Sequence, residues 1–371
     1  MHVGDYIYEY GLSPDPEGQR TQPGREIDPS DEAITLADYR LRYALYRCDP
    51  DLLALHARFP MVAQWDDHEL ANDAWQGGAQ NHDKDEGSWS IRRDAAIQAY
   101  RDWMPVSDSK WNQYEIGDLA TLVKVESRVT GRSQQLYMNG LIEGRNDVEA
   151  ALRAFRDGPW SDPARSMLGS EQEHWLADAL TASTRRGTRW QLLAQQTVMG
   201  PWLMAPEVGN WLGGDRAQRN LIAARLGLPW SMDSWGGYPA ARDRLLRSSL
   251  QADADLVVLS GDSHNAWGQN LSVDGHTAGV EFAGQAVTSG GMDGMFARTP
   301  PADVAAALRR TNPGLMLSET EHRGYMSVHL TPHHARCDWH FLNTVRKRDA
   351  SLKETRRLQA VHGRRVLEEG G

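Results

Sequence analysis

Three apolar runs in the 371-residue chain end in clusters of oxygen and nitrogen ligands. The first gives Gly4-Asp5-Tyr6-Ile7-Tyr8. The second, Met61–Trp65, runs into Asp66-Asp67-His68-Glu69. The third, Asp255–Ser260, ends in Gly261-Asp262-Ser263-His264. Taken singly, an Asp after a strand reads as a helix cap or a turn residue. Three such clusters at three strand ends read better as a site, because ligands of α/β sheets sit beyond the carboxyl ends of the strands. Carboxylates, imidazoles and a phenol are hard or borderline donors. They suit Fe, Mn, Ca, Mg or Zn and do not suit Cu(I) or Fe–S clusters. Two metals about 3.5–4 Å apart, bridged by a carboxylate, activate water and clamp a phosphoryl group during in-line displacement.

Elements must carry these clusters. His2 and Val3 are a stump of a strand before Gly4, so the chain is expected to begin in the middle of a fold with its first strand missing. Residues 12–31 read as a long polar surface loop, and such loops often wall a site. Residues 32–59 have helical spacing, with Asp49 capping a second helix that starts at Pro50. Met61–Trp65 is expected as a short buried strand and Ser90–Asp102 as a helix. Residues 113–129 and 134–138 are expected as strands of a hairpin or meander. Ser170–Thr181 opens with Ser170 and Glu173, a capping-box pattern. Trp190–Val198 reads as a strand, 199–239 as irregular, and Ala240–Gln251 as a helix. Asp255–Ser260 is the clearest strand, with others near 279–287 and 325–331. The basic segment 346–371 fits helix or strand. Strands alternating with helices point to an α/β sheet.

Composition narrows the function. The net charge of −10 argues against duplex nucleic-acid binding. A phosphorylated substrate stays within reach, because bound cations reverse the local sign. Two cysteines exclude a disulfide scaffold and a Cys-rich zinc site. No apolar run approaches the length of a transmembrane helix. The first residues show no signal peptide, which leaves the compartment open. The Trp-rich stretch Trp202, Trp211, Trp230 and Trp235 reads as core and pocket wall, and His333-His334 as a loop.

GDYIYEYG at 4–11, WDDHELANDAW at 65–75 and LVVLSGDSHNAW at 256–267 together resemble the alkaline phosphatase D (PhoD-like) branch of the calcineurin-like metallophosphoesterases. The resemblance continues through MLGSEQEHWL, LLAQQTVMG, WGGYPAARDRLL and VEFAGQAVTS, over most of the chain. It implies a four-layer α/β/β/α sandwich, one domain over 1–371, and a site of two or three metals, often Fe(3+) with Ca(2+). Mn, Zn and Mg are the other metals the donor set admits. Residue by residue, Asp5 matches the bridging carboxylate and Tyr8 the tyrosinate ligand of iron. Asp67 matches a ligand of the second metal, and Asp262 and His264 match two further ligand positions. Asn72 is a weaker candidate ligand for a hard cation. His68 matches the residue that hands a proton to the leaving oxygen. Arg128 reads equally as a phosphate grip or as an ion-pair partner, and Glu69 as a cap or salt bridge.

Two departures stand out. The family carries a segment before GDYIYEYG with a further iron ligand, and usually an amino-terminal β domain and a twin-arginine export signal. Gly236 stands where an acidic residue is common. The expected function is a metal-dependent phosphoesterase acting on mono- or diesters. A phospholipase D-like diesterase acting on phospholipid or teichoic-acid type polymers is the alternative in the same chemistry. A truncated remnant that binds ligand without turnover is the alternative outside it. Oligomeric state is left open.

Overall fold

The computed structural model describes residues 1–12, 26–107 and 109–370. The chain separates into two compact units. The first comprises residues 1–110 and 126–134, the second residues 111–125 and 135–371.

The first unit is helical. In the helix Leu36–Tyr46, the Thr35 side chain accepts from the Asp38 N–H and the Asp38 carboxylate accepts from the Thr35 N–H, a capping box. In Pro50–Arg58, the Asp49 carboxylate takes the N–H groups of Asp51 and Leu52, as the sequence indicates. The third helix is Trp89–Trp103. Tyr39, Tyr43, Ala96, Ala99 and Tyr100 from these helices form a core with Ile7, Leu70, Ala71 and Ala74. That core holds the first two ligand clusters from behind. The buried Arg42 guanidinium adds a clamp, donating to the carbonyls of Tyr8, Tyr10, Pro29 and Asp31.

The strand expected at Met61–Trp65 reduces to one parallel bridge, between Ala63 and His2. His2 donates to the Val62 carbonyl at 2.9 Å and accepts from the Gln64 N–H at 3.2 Å. Gly4, at φ +124°, turns the chain away before a second rung forms. Most of the loop expected at 12–31 lies outside the described residues. Its edges meet where the Leu12 N–H donates to the Ser30 carbonyl at 2.7 Å.

The second unit contains two sheets. The larger has β1 (Asn112–Ile116), β2 (Ala120–Lys124), β3 (Trp190–Ala194), β4 (Leu256–Ser260), β5 (Ala266–Val273), β6 (His276–Ala283) and β7 (Leu315–Glu319), in the order β1-β2-β3-β4-β6-β5-β7. Strands β2, β3, β4 and β6 run parallel, and the other pairs are antiparallel. β2, β3 and β4 are buried along their whole length, as parallel strands covered on both faces must be. The smaller sheet is antiparallel: β8 (Gly324–Leu330), β9 (His334–Leu342), β10 (Leu352–Val361) and β11 (Leu367–Glu369), in the order β11-β10-β9-β8.

Helices Ser170–Arg185 and Pro239–Gln251 lay Leu176, Leu180, Leu245 and Leu246 on Val123, Leu193 and Val258. On the opposite face the smaller sheet packs. The Trp339 ring meets Phe282 edge-on at 5.6 Å, and its N–H donates to the Ala283 carbonyl at 2.9 Å. Gly268 permits this contact, because a Cβ there would sit 2.6 Å from Leu358 Cδ1. Helices, larger sheet and smaller sheet thus stack as a mixed α/β sandwich. Among the described residues, no helix is long and apolar enough to cross a membrane.

Several local expectations are corrected. Residues 134–138 join no ladder: β2 already has β1 on one side and β3 on the other. The strand expected at Trp190–Val198 stops at Ala194. Residues 199–239 are not irregular throughout but hold the helices Val208–Trp211 and Gly214–Arg225. Ser170 is no cap. Gly169 occupies that position at φ +80°, and Glu173 instead pairs with Arg244 at 2.8 Å. The basic segment 346–371, open between helix and strand in the sequence, is resolved as strand at 352–361 and 367–369.

Candidate metal centre

In the first unit the two ligand clusters are bound to each other by a carboxylate. Glu69 accepts from the backbone N–H groups of Asp5 (3.1 Å), Asp66 (2.7 Å) and Tyr6. Gly4 lets the segments touch, since a Cβ there would fall 2.1 Å from Asp66 Cβ. Asp5 follows at φ +59°, a left-handed conformation that Asp tolerates better than most residues. Ligand atoms of Asp5, Asp67 and His68 then all lie within 4.8 Å of one another. The Tyr8 hydroxyl donates to Asp5 Oδ2 at 3.2 Å, so phenol and carboxylate share one focus.

Arg128 is fully buried. Its Nε pairs with Asp66 Oδ1, and its Nη2 lies 3.3 Å from Asp67 Oδ1. Arg128 is thus a buried ion-pair partner of both carboxylates rather than a surface one. Asp67 Oδ2 accepts from the Asp73 N–H at 2.6 Å. His68 Nδ1 meets the buried carboxylate of Glu9 at 2.7 Å, and its ring lies against Tyr8, with centroids 4.2 Å apart. Asn72 donates its backbone N–H to Glu9 at 2.7 Å and its side-chain NH2 to Gln80 at 2.8 Å. Its side-chain carbonyl is the atom a hard cation would use.

Charge follows from this packing. Burial works against ionised Asp67, yet the Arg128 guanidinium and His68 outweigh it and hold the carboxyl at about 2. Burial also disfavours the His68 imidazolium, but Asp67, Asp5 and Glu9 together push its pKa well above the ordinary histidine value. Burial and the charge of Asp5 push the Glu69 carboxyl up to about 8, against the three N–H groups that favour its ionised form.

The third cluster lies in the second unit at the end of β4. Asp262 and His264 both adopt positive φ, +62° and +60°. Two non-glycine residues held in this sparsely populated region within three positions mark the kind of strain that accompanies functional turns. The turn is fixed by the Gly261 N–H on the Gln196 carbonyl (2.7 Å) and by the Trp267 N–H on Ser263 Oγ (2.7 Å). His264 Nδ1 is 2.6 Å from the Gly290 carbonyl, which fixes that nitrogen as the donor and makes Nε2 the atom a cation would use.

The donor set fits hard cations. In the first unit the carboxylates of Asp5 and Asp67 converge with the Tyr8 phenol at their edge, and all are oxygen donors, with the His68 ring beside them. A second convergent group, Glu319, Glu321 and His322, has cations of its own chain against it. Arg356 lies 3.3 Å from Glu319, and Lys353 Nζ lies 2.8 Å from His322 Nε2. Sequence reasoning read Glu69 as a cap or salt bridge, and it caps three backbone N–H groups; it missed Glu9 as a site residue. Glu9 was an acidic residue between two tyrosines with no basic residue at helical spacing, which is the available signal for a buried, functional carboxylate.

The second unit is thus a mixed α/β sandwich with an Asp–His turn at the end of β4. The family model for the PhoD-like phosphatases matches residues 1–339, and the chain belongs to that family. It is 33% identical over 373 residues to alkaline phosphatase D of Bacillus subtilis (strain 168), covering 95% of this chain and 55% of that protein. A solved structure of PhoD matches with a TM-score of 0.73 at 27% identity, covering 100% of this chain and 65% of the other. The chain thus spans about half the length of the curated relative it matches.

The Glu69 clamp carries a prediction. Glu69→Gln keeps one acceptor oxygen but turns an NH2 toward backbone donors. Loosened Asp5 should lower metal affinity about 10–100-fold, the usual effect of losing a group that orients a ligand. Competition with a chromogenic chelator measures it, and unchanged affinity would remove Glu69 from the site.

Proposed function

We propose that the chain is a metal-dependent phosphoesterase whose metal ligands are Asp5, Tyr8, Asp67, Asn72, Asp262 and His264, with Fe(3+) and Ca(2+) as the preferred cations. The observation that carries this reading is the convergence of Asp5, Asp67 and His68 beside Tyr8 in a member of the PhoD-like phosphatase family. Bound cations supply Lewis acidity toward water and toward the phosphoryl oxygens. The chain's own residues do the rest. Asp5 and Asp67 provide the negative charge that retains the cations. Glu69 and Arg128 hold those two carboxylates in place. His68, favoured in its charged form by its carboxylate neighbours, delivers a proton from Nε2 to the departing alcohol oxygen.

The test is hydrolysis of nitrophenyl phosphate and of bis(nitrophenyl) phosphate by the purified chain, before and after chelation and after return of iron with calcium. Turnover that vanishes with the metal and comes back with it supports the reading. Absence of turnover on both esters by fully loaded protein refutes it and leaves the ligand-binding remnant. The monoester-to-diester ratio separates phosphatase from diesterase. His68→Ala should retain bound metal and lose about 10²–10⁴ in kcat, most of it for esters with poor leaving groups. A variant stripped of metal would make His68 a ligand and not the acid.

A further inference from the structure

We infer that Glu9 is the positioning residue of His68: by holding Nδ1 it sets the orientation of the ring and turns Nε2 toward the leaving group. The inference rests on the acid role proposed for His68 and extends it. Glu9 has no solvent exposure, and burying a carboxylate costs several kcal/mol unless donors surround it. The donors divide by oxygen. Oε1 accepts from the Asn72 N–H at 2.7 Å and from Asn81 Nδ2 at 2.8 Å, while Oε2 meets His68 Nδ1 at 2.7 Å. The first pair anchors the carboxylate. Asn81 Nδ2 also donates to Glu32 at 3.0 Å, and Glu32 pairs with the buried Arg92 at 2.6 Å.

A carboxylate so anchored leaves the imidazole little freedom. Nδ1 must carry a proton to meet Oε2, which leaves Nε2 as the nitrogen that exchanges protons. The rings of Tyr8 and Tyr10, at centroid distances of 4.2 and 5.2 Å, stop the imidazole from rotating away.

Glu9→Ala and Glu9→Gln, made in the full chain, test this. Elemental analysis should find the metal content of Glu9→Gln unchanged, since its amide oxygen still accepts the Asn72 N–H. KM should move by less than about threefold, while kcat falls about 10²-fold for an alkyl phosphate and several-fold less for nitrophenyl phosphate, whose leaving group needs no acid. Glu9→Gln, which keeps an acceptor without charge, should fall between wild type and Glu9→Ala. A readout independent of turnover is the proton spectrum of the calcium-loaded, diamagnetic protein. A downfield ring N–H resonance, assigned by its loss in His68→Ala, should disappear in Glu9→Ala and shift in Glu9→Gln. Metal loss in parallel with activity, equal losses on the two esters, or an unshifted resonance would each overturn the inference and reduce Glu9 to a latch for Asn72 and Asn81. If wild type hydrolyses neither ester, the hydrolase reading fails, and the resonance alone still decides the Glu9–His68 pair.

Discussion

His264→Ala is expected to lower phosphoester turnover by about three orders of magnitude and to remove bound iron with it. The Gly290 carbonyl holds Nδ1, so on the proposed reading Nε2 is the nitrogen that would ligate, and alanine replaces it with nothing. A hydrolase that uses a cation to make water nucleophilic near neutral pH depends on that cation for most of its rate, since metal coordination lowers the pKa of water from about 15.7 to about 7. Backbone strain is a second cause of loss, because His264 sits at φ +60° and alanine accepts that conformation poorly. His264→Asn separates the two, as asparagine tolerates left-handed φ while being a poorer ligand for iron. Equal loss of iron and turnover in both variants assigns the effect to ligation. Retained iron and turnover on nitrophenyl phosphate in His264→Ala would remove this residue from the metal site.

Arg128→Leu is expected to destabilise the metal-free protein by about 3–5 kcal/mol, the cost of leaving buried carboxylates without their partner. Arg128 faces two of them, Asp66 and Asp67, all three essentially without solvent exposure. The pH dependence has a definite sign. Asp67 titrates at about 2 in the folded chain, against an ordinary value of 3.8. Its ionised form is therefore the one the fold favours. That stabilisation is fully present above pH 3.8 and is lost as pH falls through about 2. Without Arg128 the carboxyl loses its main support, burial dominates, and acid unfolding of the variant should begin at higher pH than in wild type. Thermal melts across the acid range measure both effects. A variant with wild-type Tm would show that the pair is neutral in its surroundings.

Cations should shift this balance. Bound metal takes over part of the charge compensation of Asp67, so the Tm difference between Arg128→Leu and wild type should narrow when metal is added.

What was legible in the sequence follows from periodicity and local chemistry. The helix Pro50–Arg58 was readable because Asp49 and Pro50 act within one turn. β4 was readable because four consecutive Leu or Val residues, buried on both faces, have few other uses. The GDxxY, WDDHE and SGDSH turns were readable because each concentrates hard donors immediately after an apolar run. Elements whose form depends on partners were not. Met61–Trp65 has the composition of a strand, yet His2 supplies just one rung. The carboxyl-terminal strand β10 is rich in Lys, Arg and Glu, a composition that exposed helices share, and pairing with β9 and β11 selects strand.

The sequence by itself determined the chemical identity of the donors, their hardness and the family to which they belong, because these depend on residue type and on order along the chain. Tertiary structure alone decided that Glu69 clamps three backbone amides, that Arg128 is an ion-pair partner, and that Glu9 meets His68 across 59 residues. The physical reason is that a buried charge acquires its role from whatever compensates it, and these compensating groups are neighbours in space far apart in the chain.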